Sequence, residues 1–220
     1  MVVLDCFDAL ERRFKARRHD DGKWAVGLTG LLFARPSSKL VADEILPGLG
    51  YFHHRSGNNV DFFCAGVSRY TRGQAHPDEK QIPSPDGPGQ SWFYSDIAFN
   101  EFRHELSAEA DWEYSSDPEL VLTNAEFDAR TGRTILDFGT GIKLNLERAK
   151  VDGAIVSVAN SFEKIFHFAE TQPGDDPTWG LSDQQALGTG QNALWNLVIG
   201  FLPESIRKDT RRVRHFLVTD

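Results

Sequence analysis

Sulfur is scarce in this chain of 220 residues: it has two cysteines and one methionine. Cys6 and Cys64 have the spacing of neither a metal cluster nor a Cys-x-x-Cys redox pair. Two scattered thiols suit a reducing compartment, where free cysteine ordinarily acts as a small buried hydrophobe. One methionine beside 16 phenylalanines leaves little soft packing, so the core is expected to rest on aromatic rings. Long apolar runs are missing too. The longest, Ala25–Ala34, falls far short of the roughly 20 residues that span a bilayer. Asp5 and Asp8 interrupt the N-terminal stretch, which therefore does not read as a signal peptide. The expected location is the cytoplasm, with no membrane partner.

Catalytic signatures are also lacking. There is no Gly-x-Ser-x-Gly elbow and no supported Cys–His arrangement. Leu187-Gly188-Thr189-Gly190-Gln191 is glycine-rich but lacks the lysine of a phosphate-binding loop. Asp137-Phe138-Gly139 has the letters of the kinase metal motif without the glycine-rich loop, strand lysine or catalytic loop that must accompany it. Histidines 19, 53, 54, 76, 104, 167 and 215 form no i, i+4 pair on a helix, and His104 shares a face only with Glu101. No metal and no cofactor is expected, and an enzyme is not favoured. The net charge of −8 argues against a non-specific nucleic-acid binder, because phosphate neutralisation demands a basic surface. A local basic patch remains compatible with it.

What is present is ordinary globular material, 40% hydrophobic and 25% charged, in the amount one domain over 1–220 would need. Leu4, Phe7, Leu10 and Phe14 predict an amphipathic helix over 4–18. Residues 24–34 read as a strand buried on both faces. Pro36, Ser37 and Ser38 then open a helix that ends near Pro47-Gly48. Residues 60–67 read as a second buried strand, parallel to the first across a right-handed crossover. Residues 68–91, rich in proline and glycine, read as a long loop. Ser95 caps a helix over 95–110, with Ile97, Phe102 and Leu106 on one face. Strands 119–124 and 133–146 form an antiparallel hairpin. A helix covers 154–170, and 171–220 reads as a loop and two further helices.

The order over 23–170 is therefore β-α-β-α-β-β-α. With Ala34-Arg35-Pro36-Ser37-Ser38 joining the first strand to its helix and Pro118 preceding the third strand, it resembles the thioredoxin-like superfamily. The resemblance implies an α/β fold with a four-stranded mixed sheet, here flanked by an N-terminal helix (1–22) and a C-terminal helical extension (171–220). It implies that residues 34–38 stand where thioredoxins carry Cys-x-x-Cys, facing a proline that is usually cis. No cysteine occurs there. Thiol–disulfide exchange needs a thiolate at that helix start, so the family's redox activity does not carry over.

Three candidate sites follow. His53, His54 and Arg55, with Asp61 on the next strand, are the densest polar cluster, suited to a phosphorylated or nucleotide ligand. On an extended segment, adjacent histidines would point opposite ways. The plain alternative is one capping and one solvated histidine. Arg35, Ser37 and Ser38 surround a helix start that favours anions, as every capped helix does. Arg12, Arg13, Arg17 and Arg18, with Arg207, Arg211, Arg212 and Arg214, make two basic stretches for an acidic protein partner or nucleic acid. Two solvated helix faces would look the same. Arginine outnumbers lysine, which fits a bacterial, GC-rich origin. The readings rank as a non-redox protein-interaction or accessory module, then a ligand-binding protein or enzyme at His53–Asp61, then a nucleic-acid-associated protein.

Overall fold

The computed structural model describes residues 2–4, 27–56, 60–68, 76–84, 91–109, 112–128 and 133–171. They form a mixed α/β fold around one mixed sheet. The strands are β1 (Val2–Leu4), β2 (Gly27–Phe33), β3 (Val60–Ala65), β4 (Val67–Ser68), β5 (Lys80–Ile82), β6 (Trp92–Tyr94), β7 (Glu119–Asp128) and β8 (Arg133–Asn145). The helices are α1 (Leu49–Ser56), α2 (Asp96–Glu109), α3 (Leu146–Val151) and α4 (Val158–Thr171). The sheet order is β5-β6-β4-β1-β3-β2-β7-β8. β3 lies parallel to β1 on one side and to β2 on the other. β7 runs antiparallel to β2, and β8 to β7.

The four-stranded mixed core read from the sequence is β3-β2-β7-β8, and it sits inside a wider sheet of eight strands. Every residue of β3 is buried, as its unbroken apolar character requires of a strand covered on both faces. On one face Phe62 meets Phe52 of α1 and Phe162 and Phe166 of α4, at ring-centroid distances of 6.4, 4.9 and 5.9 Å. Gly30, the cross-strand neighbour of Phe62, makes room for that ring, since a Cβ there would lie 2.8 Å from it. On the other face Phe33 packs against Phe99 and Phe102 of α2 and against Trp112 and Tyr114.

Several expectations need correction. The helical crossover does not stop at Pro47-Gly48. A π-helical turn (Val41–Ile45) passes through a 3-10 turn (Leu46–Gly48) into α1. Pro47 falls at the start of a new turn, where no N–H is needed, and Gly48 leaves space for the Phe52 ring. Val2–Leu4 is a strand rather than the opening of a helix, and the remainder of the expected N-terminal helix lies outside the described residues. Residues 68–91 are not simply a loop, because β5 forms a ladder with β6. β3 ends at Ala65, where Gly66 turns the chain with φ +73° into β4. The expected helix over 154–170 begins only at Val158, and α3 precedes it, capped by Asn145, whose side chain accepts from the Arg148 N–H at 2.8 Å. Ser95 does cap α2, its hydroxyl accepting from the Ala98 N–H at 3.1 Å, but Ile97 is exposed and Phe99 takes the inward position. The helices read beyond residue 171 lie outside the described residues. Among the described residues no helix is long and apolar enough to cross a membrane.

Candidate functional site

The His53–Asp61 cluster comes apart in three dimensions. His53, His54 and Arg55 stand in the last turn of α1, not on an extended segment, and the two imidazole rings are 5.2 Å apart. Arg55 is engaged by α4. Its Nε donates to Glu163 Oε1 at 2.8 Å, its Nη2 to Glu170 Oε2 at 2.9 Å, and its Nη1 also bonds Glu170. The Tyr51 hydroxyl donates to Glu163 as well. These bonds set the local acidities. Glu163 is held below its ordinary value, first by Tyr51 and then by Arg55, and Glu170 by Arg55. Asp61 is buried in β3 opposite Thr29, which itself pairs with Thr123. Side chains alternate along a strand, so Asp61 projects from the sheet face opposite that of its neighbour Phe62, away from α1 and α4. Arg55 and Asp61 therefore do not share a site.

Arg35 is different. It follows β2 at its C-terminal end and reaches over α2. Its Nη1 donates to Asp96 Oδ1 at 3.2 Å and its Nη2 to Asn100 Oδ1 at 2.8 Å. The guanidinium carbon lies 4.5 Å from the centre of the Phe99 ring, a cation–π stack. Tyr94 donates its hydroxyl to the same Asp96 oxygen at 3.0 Å. Burial raises the Tyr94 hydroxyl well above its ordinary value and pushes Tyr114 up to about 12, against the pull of Arg35's charge. Both hydroxyls therefore stay protonated near neutral pH. Arg35 to Ser38 forms a turn, the Ser38 N–H donating to the Arg35 carbonyl at 3.0 Å. Ser37 is exposed, and the Ser38 carbonyl accepts the Ala42 N–H at 3.0 Å. The helical stretch begins at Lys39, directly after Ser38, and runs into the π-helical turn, which has no side-chain cap at Leu40.

Beside this end of β2 lies the start of β7. No cis peptide occurs among the described residues, so Pro118 is trans, unlike the proline the thioredoxin-like resemblance implies. Glu119 pairs with Phe33 and is fully buried. Its Oε1 accepts from Lys143 Nζ at 3.0 Å and from the Ser115 N–H at 3.2 Å. Lys143 Nζ also donates to the Glu113 carbonyl at 2.7 Å and lies 6.0 Å from the centre of the Trp112 ring.

Asp96, Asn100, Glu119 and Lys143 were not singled out by the sequence. The one local hint was a charge beside apolar residues at Glu119-Leu120-Val121-Leu122 and at Ile142-Lys143-Leu144. Cys64 is buried and its thiol is pushed up to about 12 by burial alone, so it is not a nucleophile at neutral pH. Among the described residues no group of His, Cys, Asp and Glu side chains is placed to hold a metal ion. The basic stretches with Arg12, Arg13, Arg17 and Arg18, and with Arg207, Arg211, Arg212 and Arg214, lie outside the described residues. The chain matches no protein-family model, no curated protein and no solved structure.

Proposed function

We propose that this chain is a non-redox protein-interaction module built on a thioredoxin-like core. The element order supports that core: β2, a helical crossover, β3, α2, β7, β8 and α4, with β2 and β3 parallel and β7 and β8 antiparallel. The observation that carries the reading is Arg35. At the position where the resembling family places its redox cysteines stands a guanidinium held by Asp96 and Asn100 and stacked on Phe99. Such a group recognises carboxylates and carbonyls and performs no electron transfer. Arg55, the rival anion binder, is already engaged by two carboxylates.

The test is capture of partners by the tagged full chain at low and high salt, with wild type and Arg35→Ala side by side. A stoichiometric protein that survives high salt with wild type and is lost with a folded Arg35→Ala supports the module. A co-purifying nucleotide or metabolite without any protein moves the function to a ligand. Capture of nucleic acid that vanishes with salt moves it to the basic terminal stretches.

A further inference from the structure

We infer that residues 76–84 are a replaceable strap: they fill, in cis, a strand site on the edge of β6 that an extended segment of a partner protein takes over, one with an acidic residue four positions before an aliphatic one. The identification of the partner as a protein rests on the interaction reading above.

The strap is lightly held. Among the described residues β5 is the last strand of the sheet and pairs only with β6, over three residues: Lys80 with Tyr94, Gln81 with Phe93 and Ile82 with Trp92. Ile82 is the one buried residue of 76–84. Pro77 and Pro83 bracket the ladder, and proline has no N–H with which to extend it. The second anchor is Asp78, whose carboxylate accepts from the Ser95 hydroxyl at 2.6 Å and from the Ile97 N–H at 3.1 Å in the first turn of α2.

The receiving strand has support besides the strap. β6 is fixed on its other side by β4, through Val67–Tyr94 and Ser68–Phe93. Trp92 and Tyr94 are core residues, and the Ser95 N–H donates to the Gly66 carbonyl at 2.9 Å. An edge tied to β4 and covered by a short strand with two side-chain anchors meets the requirement for strand addition: main-chain bonds supply affinity, while the site that buries Ile82 and the donors to Asp78 supply specificity. Tethering keeps the strap at an effective concentration of order millimolar, so it shields the edge until a partner with contacts elsewhere displaces it.

The experiment uses the full chain and a fluorescein-labelled peptide of this chain's own residues 76–84, read by anisotropy. The peptide is expected to bind Asp78→Ala/Ile82→Ala at least tenfold more tightly than it binds wild type. Binding should be lost when the peptide itself carries Ala at both anchors. Equal binding to both proteins, or none to a variant whose circular dichroism matches wild type, overturns the proposal. Hydrogen exchange on wild type gives a readout that needs no variant. Amides of Lys80–Ile82 should exchange at least a hundredfold faster than those of Phe63 and Cys64. Loss of both sets in one global event refutes a replaceable strap. Neither measurement depends on whether lysate capture finds a partner, so a failure of the strap and a failure of the interaction reading are told apart.

Discussion

Gly66 to alanine tests the junction on which both faces of the fold depend. The residue has φ +73°, in the left-handed region, and ends β3 so that β4 can run back beside β6. Two effects oppose a side chain here. A left-handed conformation disfavours alanine by about 1–2 kcal/mol. The new Cβ would also lie 2.7 Å from the Ser95 carbonyl oxygen, 2.8 Å from Phe99 Cβ and 3.1 Å from the Phe99 nitrogen. None of these atoms can give way cheaply. The Ser95 N–H donates to Gly66 itself, the Ser95 carbonyl accepts the Phe99 N–H at 3.0 Å, and the Phe99 ring is set among Phe33, Tyr94, Tyr114 and Arg35. Crowding of this sort costs about 1–3 kcal/mol, so the total is about 2–5 kcal/mol. Gly153 is the internal control. It has φ +69°, and an added Cβ meets nothing within 4 Å. Gly153→Ala therefore incurs only the conformational part, about 1–2 kcal/mol. The smaller unfolded-state entropy of alanine is common to both variants and cancels in the comparison. Urea unfolding followed by tryptophan fluorescence, with equal slopes, should place the Gly66→Ala midpoint clearly below that of Gly153→Ala. Equal midpoints would mean that the close approach of Gly66 to Ser95 and Phe99 is not as described.

Phe162→Ala removes the ring that packs edge-to-face 4.8 Å from Phe52 and 4.9 Å from Phe62, and it should destabilise by about 3–5 kcal/mol in the same urea assay; a loss under about 1 kcal/mol would contradict the packing. The Arg55 network predicts an acid-sensitive contribution. Glu163 and Glu170 sit below the ordinary glutamate value of about 4.3, so the unfolded chain binds protons first as pH falls. That contribution is complete above the ordinary value and is lost as pH drops through the depressed folded values. The melting-temperature gap between wild type and Arg55→Ala should therefore narrow between about pH 5 and 3, and parallel curves would refute the tie between α1 and α4. In a Cys6→Ser background, Cys64 should react with Ellman's reagent only on unfolding, and fast modification at pH 8 would show an accessible thiolate that burial of Cys64 excludes.

The core was legible where elements are long and uniformly apolar. β2, β3, the β7–β8 hairpin and α2 with its Ser95 cap all stand near their expected places, because continuous burial and capping leave a local signature. β1, β5 and β6 were missed. Each is three residues long, shorter than any periodicity window, and is stabilised by its neighbours in the sheet. α1 was hidden by Pro47-Gly48, which stops most helices. Here a change of helical type absorbs the proline, and the glycine's missing Cβ admits Phe52. Arg35 and Arg55 were both legible as candidates, but their partners were not. Asp96 and Asn100 lie 61 and 65 residues from Arg35, and Glu163 and Glu170 lie 108 and 115 from Arg55. Nothing local to either arginine encodes such pairings.

Those partners separate two arginines that look alike in sequence. Arg55 meets two carboxylates, which leaves an excess negative charge around it, and an incoming phosphate or carboxylate is repelled. Arg35 meets one carboxylate and one neutral amide while resting on an aromatic ring, so its immediate balance is zero. An acidic group approaching the end of β2 is therefore opposed less than one approaching α1. The strap adds to this. Asp78 bonds Ser95 and Ile97, the residues flanking Asp96, and so brings a second negative charge to the same helix start. Its departure would leave Asp96, which Arg35 holds together with Asn100, as the acidic residue in the first turn of α2. The helix dipole and the guanidinium would then both favour an acidic residue from a partner at that end of the sheet. On this electrostatic argument, a partner strand that takes the β6 edge would place its own acidic residue where Asp78 sits, beside the Asp96 that Arg35 holds.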